Sequence, residues 1–347
     1  MCVPISMEGA MKKRLIFNPQ GNDSIIHRKL IGGNISNLIN MNQVAFPWAT
    51  ALYKKMLENF WIPEQVPMSQ DISCFNTLSS EEKRAFKGIL SFLIFLDSIQ
   101  TSNIPRLSDY FTAAELIQAL SIHAFQESVH SQSYQYLIES LFSDMSEKEA
   151  IYDFWKDDKV LFKRNQEIAQ IYQDFSDDPS ELNFTRSIIA NYLLEGLYFY
   201  NGFNFFYSLE SRGLMKNTAT MIRYIQRDEL VHCTLFENIL RELNLDPDLV
   251  YGITKAAVEA EIEWSIHILD DSILGINHHS IIQYTYHMAD YRLKKIGLEP
   301  LYGAPENPYK HLEKNQDIGS SGTVFANFFE EKVVSYSHSS AVDGWDW

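Results

Sequence analysis

The sequence predicts an all-α bundle of long helices around one core, and three observations carry that expectation. Gly and Pro are sparse through the middle of the chain, apolar residues recur there at helical rather than strand spacing, and helix-start signals punctuate it. Ser79 with Glu82, Thr112 with Glu115 and Ser146 with Glu149 fit the capping box, in which a hydroxyl and a carboxylate satisfy orphan backbone N–H groups reciprocally. Asp246 before Pro247 fits an N-cap with proline at the first helical position.

Taken in order, helices are expected near 47–61, 79–103, 112–143, 146–174, 180–212, 216–243, 246–273 and 278–297. The second, third, fourth and seventh open at the start signals just named. The helix from Thr112 is apolar round much of its circumference, as suits a helix surrounded by others. At 1.5 Å per residue the longest would span on the order of 40 Å, a length that suits a bundle.

A single helical domain, 21–315, is expected between an N-terminal extension, 1–20, and a flexible C-terminal tail, 316–347. Past Asn307 the residues turn polar and small, with Gly319-Ser320-Ser321-Gly322 as a hinge-like break. The end, Tyr336 to Trp347, mixes Ser, Asp and aromatics in a stretch too short to bury them on its own, which points to a peptide that docks on a partner.

Composition excludes several functions. Hydrophobic residues at 46% and charged residues at 21% are ordinary globular usage, so the chain can bury a large core. A net charge of -16 repels phosphate backbones and anionic lipid, arguing against direct nucleic-acid or membrane binding. Cys2, Cys74 and Cys233 lack metal-knuckle spacing, and Met1 to Phe17 has no apolar segment of a secretory signal; a reducing, cytoplasmic setting is expected. The longest apolar run, Ile89 to Leu96, is cut by Asp97 well short of a membrane span.

The chemistry lies in a repeated pattern. Of the 10 histidines, only two follow a glutamate by three residues: Glu127-Ser-Val-His130 and Glu229-Leu-Val-His232. Residues at i and i+3 share a helical face, so each pair aims a carboxylate and an imidazole into the same space. Buried in an apolar core, such groups need a compensating charge, which a metal supplies. Asp97 precedes the first pair and Glu195 the second at similar distance, each interrupting a strongly apolar stretch. One acid and one Glu-x-x-His pair per half is the pattern of ferritin-like dimetal-carboxylate bundles. Oxygen and imidazole donors without thiolate favour iron or manganese over copper or structural zinc.

Neighbouring groups divide into supporting and bystander residues. Asp228 adjoins Glu229 and is placed to hold a ligand histidine by hydrogen bond. Cys233 points about 100° away round the helix from His232 and is not counted as a ligand. Glu259, Glu261 and Glu263 read as a solvated face. Tyr134, one turn after His130, should lie near the metals, where it could be oxidised by one electron in a dry pocket lined by Phe199, Phe203 and Ile225.

Together these residues closely resemble the radical-generating small subunit of class I ribonucleotide reductase, from about Phe46 to the C-terminus. Glu127-Ser-Val-His130-Ser-Gln-Ser-Tyr134 is similar to the family's two ligands followed by its radical tyrosine; Arg227-Asp228-Glu229-Leu-Val-His232 and Leu96-Asp97-Ser98-Ile99-Gln100 resemble its other ligand segments. The resemblance implies that Asp97, Glu127 and His130 bind one metal, and Glu195, Glu229 and His232 the other, with Glu127 and Glu229 bridging. It also implies an electron path through Trp61, Asp228 and His130, with Tyr336 as the last tyrosine before the large subunit.

By the same resemblance the dimetal centre activates oxygen, the tyrosyl radical is delivered to the large subunit for reduction of ribonucleotides, and the tail tethers the two in a complex with a homodimer. Two irons come first among the metals, with manganese–manganese or manganese–iron as alternatives and a flavodoxin-like activator if manganese is used. Rival readings are another dimetal oxygen enzyme, a ferritin-like metal store, or a metal-free helical protein. The first lacks the combination of Tyr134, Trp61 and an aromatic, acidic tail.

Overall fold

The computed structural model describes residues 10–312, so Tyr336 and the expected tail lie outside the described residues. Among those described, the regular structure is helical: α1 (Pro47–Glu58), α2 (Ser69–Thr77), α3 (Ser80–Ser108), α4 (Ala114–Leu141), α5 (Met145–Asp157), α6 (Lys159–Asp177), α7 (Glu181–Leu193), α8 (Tyr200–Ser211), α9 (Lys216–Glu242), α10 (Pro247–Leu269) and α11 (His278–Lys295). α3 lies along α4, α1 and α9 close over α4, α7 packs on α9, and α10 covers α3, α6 and α7. The expected all-α bundle is observed.

The Ser79 capping box forms, with Ser79 Oγ accepting from Glu82 N–H at 3.1 Å and Glu82 Oε2 accepting from Ser79 N–H at 2.9 Å. Asp246 caps α10, with Pro247 at its first position. The other two boxes do not form. α4 starts at Ala114, because the Thr112 hydroxyl donates to Lys29 O at 2.8 Å and Glu115 accepts from Arg28 at 2.9 Å and Ala45 N–H at 2.6 Å. α5 is capped by Asp144, which accepts from Ser146 N–H at 2.9 Å.

The expected helix 146–174 is two. Asp158 is extended (ψ 115°), ends α5, and caps α6 by accepting from Val160 and Leu161 N–H at 3.0 Å each. α2 lies where a loop was expected, and its buried Asp71 accepts from Thr218 N–H at 2.7 Å, capping the start of α9.

The expected helix 180–212 is broken at its centre by a π-helical turn, Leu194–Tyr198. Such a turn widens the helix and frees carbonyls from the regular ladder. Two buried arginines take carbonyls of this turn: Arg292 Nε donates to Gly196 O at 2.9 Å, and Arg164 Nη2 to Tyr198 O at 3.4 Å. Arg164 is held by Glu261 Oε2, 3.0 Å from its Nε. Glu261 is therefore buried, correcting the solvated-face reading: residues two apart point about 200° from each other, so Glu259 and Glu263 face water while Glu261 faces inward. A side chain at Gly196 would meet Arg292 Nε at 2.6 Å and Cys233 Sγ at 2.8 Å, so only glycine permits this approach.

Candidate metal centre

The bundle brings all six sequence-predicted donors to one point. Asp97 comes from the middle of α3, Glu127 and His130 from one face of α4, Glu195 from the π turn, and Glu229 and His232 from one face of α9. All six are fully buried. Their atoms fall into two groups, each with four donor atoms within 4.8 Å of one another: Asp97, Glu127, His130 and Glu229 in one, and His123, Glu127, Glu195 and His232 in the other.

Glu127 belongs to both groups, and Glu229, grouped with Asp97, reaches toward the second as well. Glu229 Oε1 is 3.0 Å from His130 Nδ1 and its Oε2 3.1 Å from His232 Nδ1. Glu127 Oε1 is 3.0 Å from His232 Nδ1, and its Oε2 3.8 Å from His130 Nδ1. Asp97 Oδ2 is 3.8 Å from His130 Nδ1. Many of the inward atoms, including both Asp97 oxygens, Glu127 Oε2, Glu195 Oε2, Glu229 Oε1 and His130 Nδ1, have no hydrogen-bond partner. Buried polar atoms are normally paired, so orphan lone pairs converging from four elements fit a centre that holds two cations.

Electrostatics of the protein alone support this. Burial, then repulsion from Glu127, pushes the Asp97 carboxyl well above the ordinary range. Burial, then Glu195 and Glu127, does the same to Glu229. Burial opposes ionisation of Glu127 too, yet the imidazoles of His123, His130 and His232 around it hold it well below the ordinary range. Glu195 is destabilised by burial and by Glu127, but contacts with Glu229 and His123 hold it at about 2. Four carboxylates in one dry cavity cannot all ionise without positive charge among them.

The outer contacts orient the donors. Asp228 Oδ2 lies 3.4 Å from His130 Nε2 and accepts from Trp61 Nε1 at 2.8 Å, while Asp228 Oδ1 accepts from Arg227 Nε at 3.1 Å. Burial opposes ionisation of Asp228, but Arg227 and His130 win and keep its carboxyl below the usual range. His232 Nε2 is 2.9 Å from Gln126 Oε1. Gln100 donates to Glu195 and accepts from Tyr172 OH at 2.9 Å. A partner on the far nitrogen or oxygen is what fixes the aim of a metal ligand.

Tyr134 is fully buried, and burial followed by the Asp97 and Glu229 charges pushes its phenol well above the usual range. Its hydroxyl faces the Asp97 carboxyl but meets no partner at full hydrogen-bonding geometry among the described residues. Phe199, Phe203 and Ile225 are buried in the same core, with the two phenylalanine rings stacked 5.7 Å apart. Trp61 is buried with its ring 6.3 Å from that of His130. Cys233, buried with Sγ 3.9 Å from Tyr192 O, is in neither donor group.

Sequence reasoning missed His123, Gln126, Gln100 and Tyr172. His123 precedes Glu127 by four residues, one turn away on the same face, a spacing a search for glutamate before histidine passes over. Its Nε2 is 2.9 Å from Glu127 Oε1 and 3.1 Å from Glu195 Oε1.

Residues 38–308 match the family model described as ribonucleotide reductase, small chain. The chain belongs to that family. It is 38% identical over 341 residues to the ribonucleoside-diphosphate reductase subunit beta of Treponema pallidum, covering 96% of this chain and 97% of the relative. It is 39% identical over 352 residues to the corresponding subunit of Halalkalibacterium halodurans, covering 98% and 99%. The ribonucleotide reductase R2 subunit from Clostridium botulinum superposes with a TM-score of 0.84 at 40% identity, over 88% of this chain and 98% of that one. As a class I ribonucleotide reductase small subunit, the chain is part of an oxidoreductase that supplies deoxyribonucleotides, and membership implies a large-subunit partner and a homodimeric small subunit. No helix among the described residues is long and apolar enough to cross a membrane.

Proposed function

We propose that this chain generates and stores a tyrosyl radical for reduction of ribonucleoside diphosphates by a large subunit, with Asp97, Glu127, His130, Glu195, Glu229 and His232 holding two first-row metal ions and Tyr134 carrying the radical. The observation that supports it most is the convergence of orphan carboxylate and imidazole atoms beside a buried phenol with no hydrogen-bond partner. Bound there, two redox-active ions supply oxidising equivalents drawn from dioxygen. Iron fits the donor set first; manganese, alone or with iron, uses the same ligand types and would bring in a flavodoxin-like activator.

The chain's own residues do the rest. Burial and the Asp97 charge keep the Tyr134 phenol protonated, so its oxidation must be accompanied by loss of the hydroxyl proton. Phe199, Phe203 and Ile225 keep water from the oxidised ring. Asp228 joins the Trp61 indole N–H to the His130 ring, giving a hydrogen-bonded route from the centre toward α1. Tyr336, in the tail that docks on the large subunit, is the proposed exit, and the assembly is placed in the cytoplasm.

Electron paramagnetic resonance of metal-free chain reconstituted separately with ferrous and manganous ion in air tests this reading. A tyrosyl signal is expected in the parent and none in Tyr134→Phe, with both binding two metal equivalents. Less than one equivalent in the parent, or a full signal in the variant, refutes it. Deleting Tyr336 to Trp347 should leave the signal intact and weaken large-subunit binding; unchanged affinity would remove the tail from the proposal.

A further inference from the structure

We propose that the cleft between α3, α5 and α6 binds a small amphipathic monocarboxylate, with the apolar body against Phe95 and Trp155 and the carboxylate on Arg106. The cleft measures about 450 Å³ and opens to solvent, a size within the range of about 300–1,000 Å³ of small-molecule sites. It exists because small residues stand where larger ones would close the helix contact: Ser98 and Ser102, one turn apart on α3, and Ala169 on α6 all line it. The wall beside them is aromatic. The Trp155 ring packs at 4.6 Å on Phe95 and lies parallel to Phe162 at 6.2 Å, so it is braced on two sides. Tyr152, one turn before Trp155, is exposed along the same cleft. Aromatic surface left in water gains by covering with an apolar guest.

The polar groups of the lining select the head group. The Ser98 and Ser102 hydroxyls donate to Ile94 O and Ser98 O of their own helix at 2.6 and 3.3 Å, and Gln173 donates to Asp177 at 2.8 Å. Asn103 and Arg106 are not spent in this way. Asn103 is only 5% exposed, yet its amide nitrogen has no hydrogen-bond partner among the described residues, whereas buried polar groups are normally paired. Arg106 is exposed, and its guanidinium has neither an ion pair nor a hydrogen bond among the described residues. The two are three residues apart, so they share a face of α3. Among the described residues no Asp or Glu lines the cleft, on a chain that has 45 of them and a net charge of -16.

Two unpaired donors beside an apolar wall call for an acceptor on an apolar body. A carboxylate matches the guanidinium fork, and its single charge is balanced by one arginine. A phosphate group carries more charge than Arg106 neutralises, and the field of so acidic a chain disfavours it, which sets nucleotides aside. The buried end of the lining is Tyr172, whose hydroxyl donates to Gln100 Oε1 at 2.9 Å, and Gln100 in turn donates to Glu195. A bound carboxylate would thus lie beside the chain of hydrogen bonds that supports Glu195, not on an isolated patch of surface.

Calorimetric titration of the metal-loaded parent chain with sodium phenylbutyrate tests the proposal, and reads a site apart from the metals. One saturable site per chain is expected, with a dissociation constant of about 1 mM or lower. Phenylbutanamide, which keeps the body and lacks the charge, should bind about five- to tenfold more weakly to the parent, and phenylbutyrate should lose a similar factor in Arg106→Gln. Ser102→Trp, which fills the cleft from α3, should abolish binding while the circular dichroism stays parental; Ala169→Leu fills it from α6 and serves where the first variant does not fold. No saturation by about 10 mM, equal affinity for the amide, or parental affinity in a folded cleft-filling variant each overturns the proposal. Tighter binding of ADP than of phenylbutyrate, lost in Arg106→Gln, would assign the cleft to phosphates and overturn the carboxylate.

Discussion

Replacing Asp228 with alanine tests whether the contacts behind His130 matter as much as the ligands. Asp228 is fully buried and is the shared acceptor of Trp61 Nε1 at 2.8 Å and of Arg227 through Nε and Nη2 at 3.1 and 3.0 Å, with His130 Nε2 at 3.4 Å. Removing it leaves Arg227, itself only 6% exposed, without its carboxylate. Breaking one side of a buried ion pair costs about 3–5 kcal/mol, and the orphaned indole N–H adds about 1–3 kcal/mol. With a urea dependence of about 3 kcal/mol per molar, the unfolding midpoint of the metal-free chain should fall by more than about 1 M. Metal affinity should fall about 10–100-fold, because His130 loses the group that sets its orientation. Asp228→Asn retains an acceptor for Trp61 but not the charge facing Arg227, and should fall between. Urea titration followed by circular dichroism, and equilibrium dialysis with manganous ion, supply both readouts. If Asp228→Ala unfolds within about 1 kcal/mol of the parent and binds metal as tightly, this account of the site's support is wrong.

Tyr134→Phe should be neutral or slightly stabilising in urea, since it deletes a buried hydroxyl that has no hydrogen-bond partner; a loss above about 2 kcal/mol would mean that the hydroxyl is paired in solution. Gly196→Ala should cost about 1–3 kcal/mol from overpacking against Arg292 and Cys233 and weaken metal binding through Glu195, checked by calorimetry; parental stability would show that the π turn yields freely. In the metal-free chain, burial lowers the His123 pKa, but Glu195 and Glu127 outweigh it and hold the imidazole at about 9. A folded value above the unfolded one gives stability that is full below about pH 6.5 and is lost as pH rises through about 9. Asp97 and Glu229, raised chiefly by burial, act in the same sense. The urea midpoint of the metal-free chain should therefore fall between pH 6.5 and 9, and an unchanged or rising midpoint would contradict these shifts.

What was legible in the sequence had local causes. Glu127 with His130 and Glu229 with His232 show their shared face through spacing alone, and Ser79 shows its helix start because its partner Glu82 is three residues away. What was not legible depended on distant partners. Thr112 and Glu115 form a plausible capping box, but Gly33, 79 residues away, and Arg28, 87 residues from Glu115, claim those side chains. Glu261 looked solvated beside Glu259 and Glu263 because its counter-ion, Arg164, is 97 residues distant. His123 was visible in principle, four residues before Glu127, but carries no mark of its role until Glu195 is placed opposite it.

The π turn at Glu195 also governs how this rod tolerates length changes. The widened turn shifts the register, and each residue counts for about 100° round a helix; Ser187–Leu209 is continuously buried through that shift. The π turn takes up one residue more than a regular turn, so excising a single amino acid there while restoring regular winding would leave Phe203 close to its present bearing, whereas regularising the turn at full length, or deleting a residue on either side of it, would swing Phe203 by about 100° while Ser187 stayed put. Length changes outside the turn are thus phase changes, and a chain can keep every side chain named above yet aim half of them at the wrong neighbours.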